Sequence, residues 1–472
     1  MIWDFEKYKD NAALIGDSGI SLSYGDLIGI RRELSQAAVD RCLVFLMCEN
    51  SVGAVAGYAS FIENGMVPVL LNIHLERELF ESLVIAYKPG FIWSRTDMAD
   101  EYEKYGGCPV YSKYGYSLFK TGFGADYPLN DALCLLLTTS GSTGSPQFVR
   151  QSYDNVRSNA QAIAEYLELE ADERPVTTLP LNYTYGLSII NSHFMAGAAI
   201  LLTEKGLMQR EFWSFFKEKR ATSFGGVPYT YEMLEKLRFF RMDLPSLRYM
   251  TQAGGKLTPE LHRKFAEYAD NSGRKFIVMY GQCEATARMG YLPAEKSFEK
   301  SGSMGIAIPG GRFHLIDEDG NTITAPDRTG ELVYEGPNVT MGYAECGEDL
   351  IKGDERGGIL RTGDMAQFDR DGYYYIVGRK KRFLKIYGNR VNLDEIDRLI
   401  KARFDNIDVA SAGKDDHLYI FLTEGKLADE VRGFVSSKTG LNPVAFKTII
   451  IDEIPKNESG KTLYKELNKF YE

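Results

Sequence analysis

The sequence predicts an α/β protein with an α+β C-terminal part: a large N-terminal domain of helix-covered sheets with a small β-barrel-like subdomain, then a small α+β domain. Three observations predict it. Between about residues 40 and 290 short apolar runs alternate with amphipathic windows, the pattern of parallel strands covered by helices. From about 310 to 378 short strand-like runs are separated by Gly/Asp turns, which reads as antiparallel hairpins. After Gly378 a basic run opens a stretch of mixed helix and strand whose length, roughly 90 residues, is normal for a domain.

In chain order, LVFLMC is a strand followed by a helix that runs to Ile62. The most apolar long window, Val52 to Leu71, is broken by Glu63, Asn64 and three glycines, so it reads as a buried helix entering a buried strand and not as a membrane span. VPVLL is the next strand and LERELFESLVIAY the next helix, and a helix from Pro259 leads into the strand RKFIVMYG. FHLIDEDGN, GELVYEG, GILRTGD and DGYYYIVG supply the hairpins. Beyond the basic run RKKRFLK come a helix from Leu393, a strand pair around the turn GKDDH and a final strand TIIIDEIP. The expected boundary separates residues 1–380 from 381–472, with Lys381 as the hinge.

A length of 472 residues calls for more than one packing unit. With 55 Lys+Arg against 65 Asp+Glu the net charge is -10, which argues against nucleic acid or anionic membrane as partners. The opening MIWDFEKYKDNAALIGD carries acids and no apolar stretch, so no leader is visible and the cytoplasm is the expected location. The six cysteines contain no CxxC pair, which suits free thiols in a reducing compartment. His74, His193, His262, His314 and His417 are far apart, so no zinc pattern is present.

Five segments carry candidate chemistry. In LLLTTSGSTGSPQ an apolar strand ends in Ser, Thr and Gly, whose backbone N–H groups and hydroxyls suit a phosphate chain; Walker A is absent, and the cluster also reads as a surface loop. Tyr280-Gly281-Gln282-Cys283-Glu284 follows the strand FIVM, placing a carboxylate where Mg2+ could bridge phosphates and a ring where adenine could stack. Gln252-Ala253-Gly254-Gly255 also follows a strand and admits a flat ligand close to the backbone. Each of these two alone reads as an ordinary βα loop. Arg361-Thr362-Gly363-Asp364, with Arg379 fifteen residues on, suits ribose hydroxyls or a plain Asp-Gly turn with a salt bridge. PKNESGKT presents Lys461, which by itself also reads as a solvated lysine.

In this order the five segments resemble the core motifs of the adenylate-forming superfamily: acyl- and aryl-CoA synthetases, luciferases and peptide-synthetase adenylation domains. The likeness runs from about residue 20 to 465. It takes in LPLNYTYGLS, GELVYEGPNVTMGY and a GRxxxxxKxxGxRV segment. Single short motifs are weak; five in order are specific. The resemblance implies ATP and Mg2+ as cofactors, a small-molecule carboxylic acid as substrate, and CoA or the phosphopantetheine of an acyl carrier protein as acceptor. It implies that Thr138, Thr139, Ser140, Gly141, Ser142, Thr143 and Gly144 hold the triphosphate, with Gly254, Gly255, Gly281 and Cys283 also on the nucleotide. Glu284 would hold Mg2+, Tyr280 would lie on adenine, and Asp364 and Arg379 would take the ribose. Lys461 would contact the reacting carboxylate and the α-phosphate. Lys381 would be the pivot of a mobile C-terminal domain, and Gly388 would line the thiol tunnel. The acid pocket would draw on Asn182, Tyr185, Val227, Tyr229, Gln252, Ala253, Gln282 and Arg288. LPLNYTYGLS lacks an aspartate for a substrate ammonium, which lowers amino acids as substrates, and Arg288 suits a polar feature or a structural ion pair.

The sequence departs from the superfamily pattern twice: Gln147 replaces the loop's closing lysine, and Cys283 a threonine, a thiol being a poorer donor than a hydroxyl. Two further readings stay beside the acid–thiol ligase. One is a stand-alone enzyme loading a dedicated carrier protein; the other is a non-catalytic nucleotide-binding sensor or assembly subunit.

Overall fold

Six-residue runs of leucine, valine and phenylalanine are too short for helices and too apolar for an edge, and they become the inner strands of two sheets. The computed structural model describes the chain except residues 1, 39–40, 124–126, 139–146, 387–388, 405–406, 415, 440, 457–461 and 472. The described chain divides into two compact units, residues 1–313 with 334–360, and residues 314–333 with 361–472.

The first unit holds an eight-stranded and a nine-stranded sheet. In the eight-stranded sheet Leu43–Cys48 lies between Val67–Asn72 and Phe91–Arg95, parallel to both, and Val67–Asn72 runs parallel to Leu133–Thr138. Outside this core the pairing turns antiparallel, through Phe148–Ser152 to Gly342–Ala344 on one side and Tyr116–Lys120 to Cys108–Lys113 on the other. The nine-stranded sheet has six parallel strands, in order Lys275–Tyr280, Tyr249–Gln252, Ser223–Gly226, Pro175–Val176, Ile200–Leu202 and Ala12–Gly16. Antiparallel strands border it at both ends. The expected parallel strands form the interior of both sheets. At the rims, Ala12–Gly16 with Ser21–Ser23 and Cys108–Lys113 with Tyr116–Lys120 are joined by short turns, which only antiparallel pairing allows.

One apolar core takes side chains from both sheets, including Val44, Leu46 and Leu70 from one and Leu14, Ile200 and Leu202 from the other. The helix Val52–Glu63 belongs to it and is apolar all round, as a helix buried on every face must be. Ser51 caps it by accepting the Ala54 N–H. The helices Tyr24–Ala37 and Tyr153–Tyr166 open with capping boxes, Ser23/Asp26 and Ser152/Asn155.

A five-stranded sheet runs in the order Thr322–Ile323, Arg312–Ile316, Gly330–Glu335, Ile359–Phe368, Tyr374–Arg379. A single turn, Lys380–Arg382, leads to the hairpin Phe383–Ile386 and Asn389–Asn392 and then to the helix Leu393–Arg403. His417–Leu422 pairs antiparallel with Val409–Lys414 and parallel with Phe446–Ile450. All six cysteines are free. Among the described residues no helix is long and apolar enough to cross a membrane.

Candidate functional site

Three adjacent parallel strands, Ser223–Gly226, Tyr249–Gln252 and Lys275–Tyr280, end side by side, with Gly226 opposite Gln252 and Gln252 opposite Val278. The carboxyl ends of such strands are where open α/β sheets take ligands. Val227, Tyr229, Gln252 to Gly255 and Tyr280 to Glu284 all leave from these ends, which lie on one edge of the sheet. Val227 is buried before the helix Pro228–Lys236, whereas Tyr229 is 58% exposed. Gln252 is buried; its Nε2 donates to the carbonyls of Ala253 (3.1 Å) and Gly255 (2.8 Å), while its Oε1 has no partner among the described residues. Gly254 has φ +81°, and a Cβ there would stand 2.6 Å from the Tyr183 hydroxyl. At Gly281 a Cβ would overlap the Ala287 carbonyl oxygen.

Tyr280 is the last residue of its strand, and the hydroxyl accepts from Gln282 Nε2 at 3.3 Å. Cys283 is buried and opens the short turn that carries Glu284. The Glu284 carboxylate accepts the Tyr343 hydroxyl at 2.8 Å. Its backbone carbonyl accepts from Thr340 N, Thr340 Oγ1 and Arg356 Nη1, each at 3.0 Å. Burial, then the negative charge of Glu284, pushes the Tyr343 phenol up to about 12. Thr286 follows with φ +64°, a conformation a branched residue rarely adopts, and is held by its hydroxyl donating to the Asn338 carbonyl at 2.7 Å.

Tyr343 lies in Gly342–Ala344, whose neighbour in the eight-stranded sheet is Phe148–Ser152; Phe148 pairs with Thr138 on its other side. The strand leading into the Ser/Thr/Gly loop and the strand that steadies Glu284 are thus two apart in one sheet. Thr138 ends its strand half-buried, and Thr139 to Gly144 lie outside the described residues. Gln147 donates to Glu345 at 3.5 Å. One carboxylate with no cluster of three His, Cys, Asp or Glu among the described residues fits Mg2+, which takes one or two protein carboxylates and completes its octahedron with phosphates and water.

Asn182 is half-buried just before the helix Thr184–Ala196, on which Tyr185 is buried and shares a 2.9 Å hydrogen bond with Thr251 Oγ1. The Arg288 guanidinium lies 4.1 Å from the centre of the Tyr185 ring. The alternative of an ion pair at Arg288 is corrected here: its side-chain partners among the described residues are neutral, Ser188 Oγ at 3.0 and 3.2 Å and the Met279 sulfur.

In the second unit, Asp364 is 2% exposed and sits inside the ten-residue strand Ile359–Phe368, not in a loop. Arg379 is its register partner, with Nε 2.7 Å from Asp364 Oδ1 and the rest of the guanidinium half in solvent. Asp364 N–H donates to Thr362 Oγ1 at 3.1 Å, which donates in turn to the Leu332 carbonyl at 2.8 Å. Lys381 is exposed in the Lys380–Arg382 turn. Beside it Arg382 is buried, paired with Asp394 (2.7 Å) and Asp397 (2.9 Å) and stacked 3.8 Å from the Tyr464 ring centre. Gly388 and Lys461 lie outside the described residues. Sequence reasoning missed Tyr343, Arg356 and Thr286; the GY ending the GELVYEGPNVTMGY stretch was the one available signal for Tyr343.

A family model described as AMP-binding enzyme matches residues 3–344. The oxalate–CoA ligase of Arabidopsis thaliana is 29% identical over 341 residues, 69% of this chain and 65% of that protein, so the chain spans about two thirds of that relative's length. The 2-succinylbenzoate–CoA ligase of Bacillus mycoides is 26% identical over 457 residues, 94% of this chain and 92% of that protein. Among solved structures, the o-succinylbenzoate CoA synthetase of Bacillus subtilis in complex with its acyl-adenylate matches with a TM-score of 0.78 at 20% identity, covering 98% of this chain and 97% of that one. That likeness bears on the fold.

Proposed function

The chain belongs to the AMP-binding enzyme family, and from that premise we propose that it activates a carboxylic acid with ATP as an acyl-adenylate, releases pyrophosphate, and passes the acyl group to a thiol. The single observation that carries the reading is Glu284, held by Tyr343 at the mouth of three parallel strands, beside a sheet whose strand Leu133–Thr138 leads into the Ser/Thr/Gly loop. A carboxylate resists acyl transfer because its charge is delocalised and its leaving group is oxide; joining it to AMP as a mixed anhydride removes both obstacles. Attack of the acid's oxygen on the α-phosphorus breaks the bond to the β-phosphate bridge, so catalysis is alignment plus neutralisation of charge.

In this reading Glu284 anchors Mg2+, and Mg2+ supplies the neutralising charge on the phosphates. Thr138 to Gly144 cradle the triphosphate, Tyr280 and the Gly254-Gly255 backbone flank the adenine, and Asp364 accepts ribose hydroxyls while Arg379 holds its carboxylate. The unpaired Oε1 of Gln252 offers an acceptor at the same strand ends. Lys461 lies on the carboxylate and α-phosphate in the first step. It must leave before a thiol can reach the acyl carbon, for which residues 381–472 turn about Lys381. CoA is the favoured acceptor, since the relatives are named as CoA ligases. Oxalate, indoleacetate and 2-succinylbenzoate are too unlike one another to assign an acid by similarity. The cytoplasm is the proposed location.

The test is pyrophosphate release by the purified protein with ATP, Mg2+ and a panel of acids, with hydroxylamine to trap the adenylate and then with CoA. Acid-dependent release that CoA converts to a thioester supports the ligase. Trapping without transfer to CoA points to a carrier protein, and ATP binding with no release on any acid returns the chain to the non-catalytic reading.

A further inference from the structure

Arg288 is 2% exposed, and among the described residues no carboxylate lies within 4 Å of its guanidinium. The other large buried arginine chains of the protein are compensated: Arg150 meets Glu355, and Arg382 meets Asp394 and Asp397. A guanidinium stays charged at every accessible pH, so it cannot escape the burial cost by losing its proton, and a buried charge without a counter-charge is expensive. The immediate surroundings deepen the imbalance. The Tyr185 ring, Ser188 Oγ and the Met279 sulfur are neutral. His193, on the same cavity wall, donates from Nδ1 to the Ile189 carbonyl and accepts at Nε2 from the Tyr249 hydroxyl. Burial holds that imidazole at about 4, so it is neutral at pH 7 and neither adds to nor cancels the charge.

Arg288 faces a narrow cavity whose wall includes Ile189, His193, Ser223, Gly225, Tyr249 and Thr251. A Cβ at Gly225 would come within 2.9 Å of both the Tyr185 hydroxyl and Ile189 Cδ1, so a side chain there would collide with two groups that border the cavity. Ser223, Gly225 and Thr251 belong to two of the three strands whose ends carry the proposed adenylation residues, and Tyr185 joins the helix Thr184–Ala196 to Thr251. The Arg288 cation, the hydroxyls of Ser223, Tyr249 and Thr251 and a neutral imidazole on the same wall form a polar set that suits an anion.

We propose that Arg288 receives a second anionic group of the acid, a distal carboxylate, so that the acid activated at this site is a dicarboxylate. The proposal rests on the adenylation reading above. One carboxylate goes to the α-phosphorus, and the other, which does not react, completes the charge balance at Arg288 and orients the acid. A fork-shaped guanidinium with a neutral ring beneath it accepts a carboxylate in plane, which a lysine would not reproduce.

The experiment uses the full chain with aliphatic and aromatic dicarboxylic acids, each beside its monomethyl ester, which keeps the shape and removes the distal charge. Acid-dependent pyrophosphate exchange and calorimetric binding are both read for wild type, Arg288→Met and Arg288→Lys, with chloride and sulfate alone as a separate binding arm. Wild type is expected to favour one diacid over its ester on the order of 10²-fold in kcat/KM, a ratio that collapses to about 3-fold or less in Arg288→Met and stays intermediate in Arg288→Lys. Equal use or equal binding of diacid and ester by wild type overturns the proposal whether or not the variants fold, and so does an unchanged ratio in Arg288→Met. Binding of inorganic anions that excludes diacids overturns it too. If no acid supports exchange while diacids still bind wild type and not Arg288→Met, the adenylation reading falls and the anion subsite stands.

Discussion

The Tyr343 hydroxyl donates to Glu284 Oε1 at 2.8 Å, tying the carboxylate proposed to hold Mg2+ to the edge strand of the other sheet. A hydrogen bond to an ionised group contributes about 1.5–3 kcal/mol, and here it also fixes which way the carboxylate points. Tyr343→Phe is therefore expected to raise the Mg2+ concentration for half-maximal pyrophosphate exchange by about 10-fold. A magnesium titration checks it, and an unmoved half-saturation point would detach Glu284 from the metal.

Asp364 is buried in a strand with one oxygen on Arg379 and its N–H on Thr362. Asp364→Asn keeps the shape and removes the charge. Its KM for ATP is expected to rise about 10-fold with little change in the KM for the acid. Titrating ATP and acid separately distinguishes this from a general loss of folding.

Lys461→Ala is expected to slow acid-dependent pyrophosphate exchange by about 10²–10³, the usual cost of losing one preorganised donor to a developing charge. Exchange at the wild-type rate would remove the lysine from the first half-reaction.

At Gly281 any side chain meets the Ala287 carbonyl oxygen, which is backbone and cannot swing aside. Gly281→Ala is expected to destabilise the protein by about 3 kcal/mol or more and to displace Glu284, three residues on. Gly254→Ala, at φ +81°, should cost only about 1–2 kcal/mol. Thermal melts of the two variants test that order.

Burial lowers both His193 and His262 from 6.5 to about 4. Between those values the unfolded chain binds protons that the folded chain does not, so each histidine costs ~1.4 kcal/mol of stability per pH unit as pH falls through that window, and nothing above it. Asp397 acts in the opposite sense, because burial raises it from 3.8 to about 6 and the folded chain takes up its proton first. Comparing His193→Gln with wild type isolates one histidine. The gap between their melting temperatures should change between pH 6.5 and pH 5 and stay constant from pH 7 to 8.

Much of this was legible in the sequence because the informative segments are local. FIVM ahead of YGQCE specifies a strand followed by a turn, and the structure ends the strand at Tyr280 and turns at Cys283. The helix from Pro259 and the pairing of Lys414 with His417 are equally local. What escaped depends on residues distant in sequence. Nothing in TMGY says that Tyr343 meets a carboxylate 59 positions earlier. The neutral surroundings of Arg288 come from two separate segments, the helix Thr184–Ala196 and the strand Lys275–Tyr280, so an ion pair could not be told from its absence until the chain folded. RTGD looks like a turn because Gly-Asp usually makes one, yet pairing with Tyr374–Arg379 carries the strand through it.

The strand Ala12–Gly16 runs parallel to Ile200–Leu202. On the ribosome it therefore emerges long before the segment it must join. Leu43–Cys48, Val67–Asn72 and Phe91–Arg95 can pair as soon as they clear the exit tunnel, whereas Ala12–Gly16, paired only with the short strand Ser21–Ser23, waits for its parallel neighbour until residue 200 has been made. Its closure carries a long-loop entropy that adjacent strands avoid. The strand Ala12–Gly16 is thus among the late arrivals in its own sheet, and slower translation before residue 200 would lengthen the interval in which a nascent chain exposes that edge to aggregation.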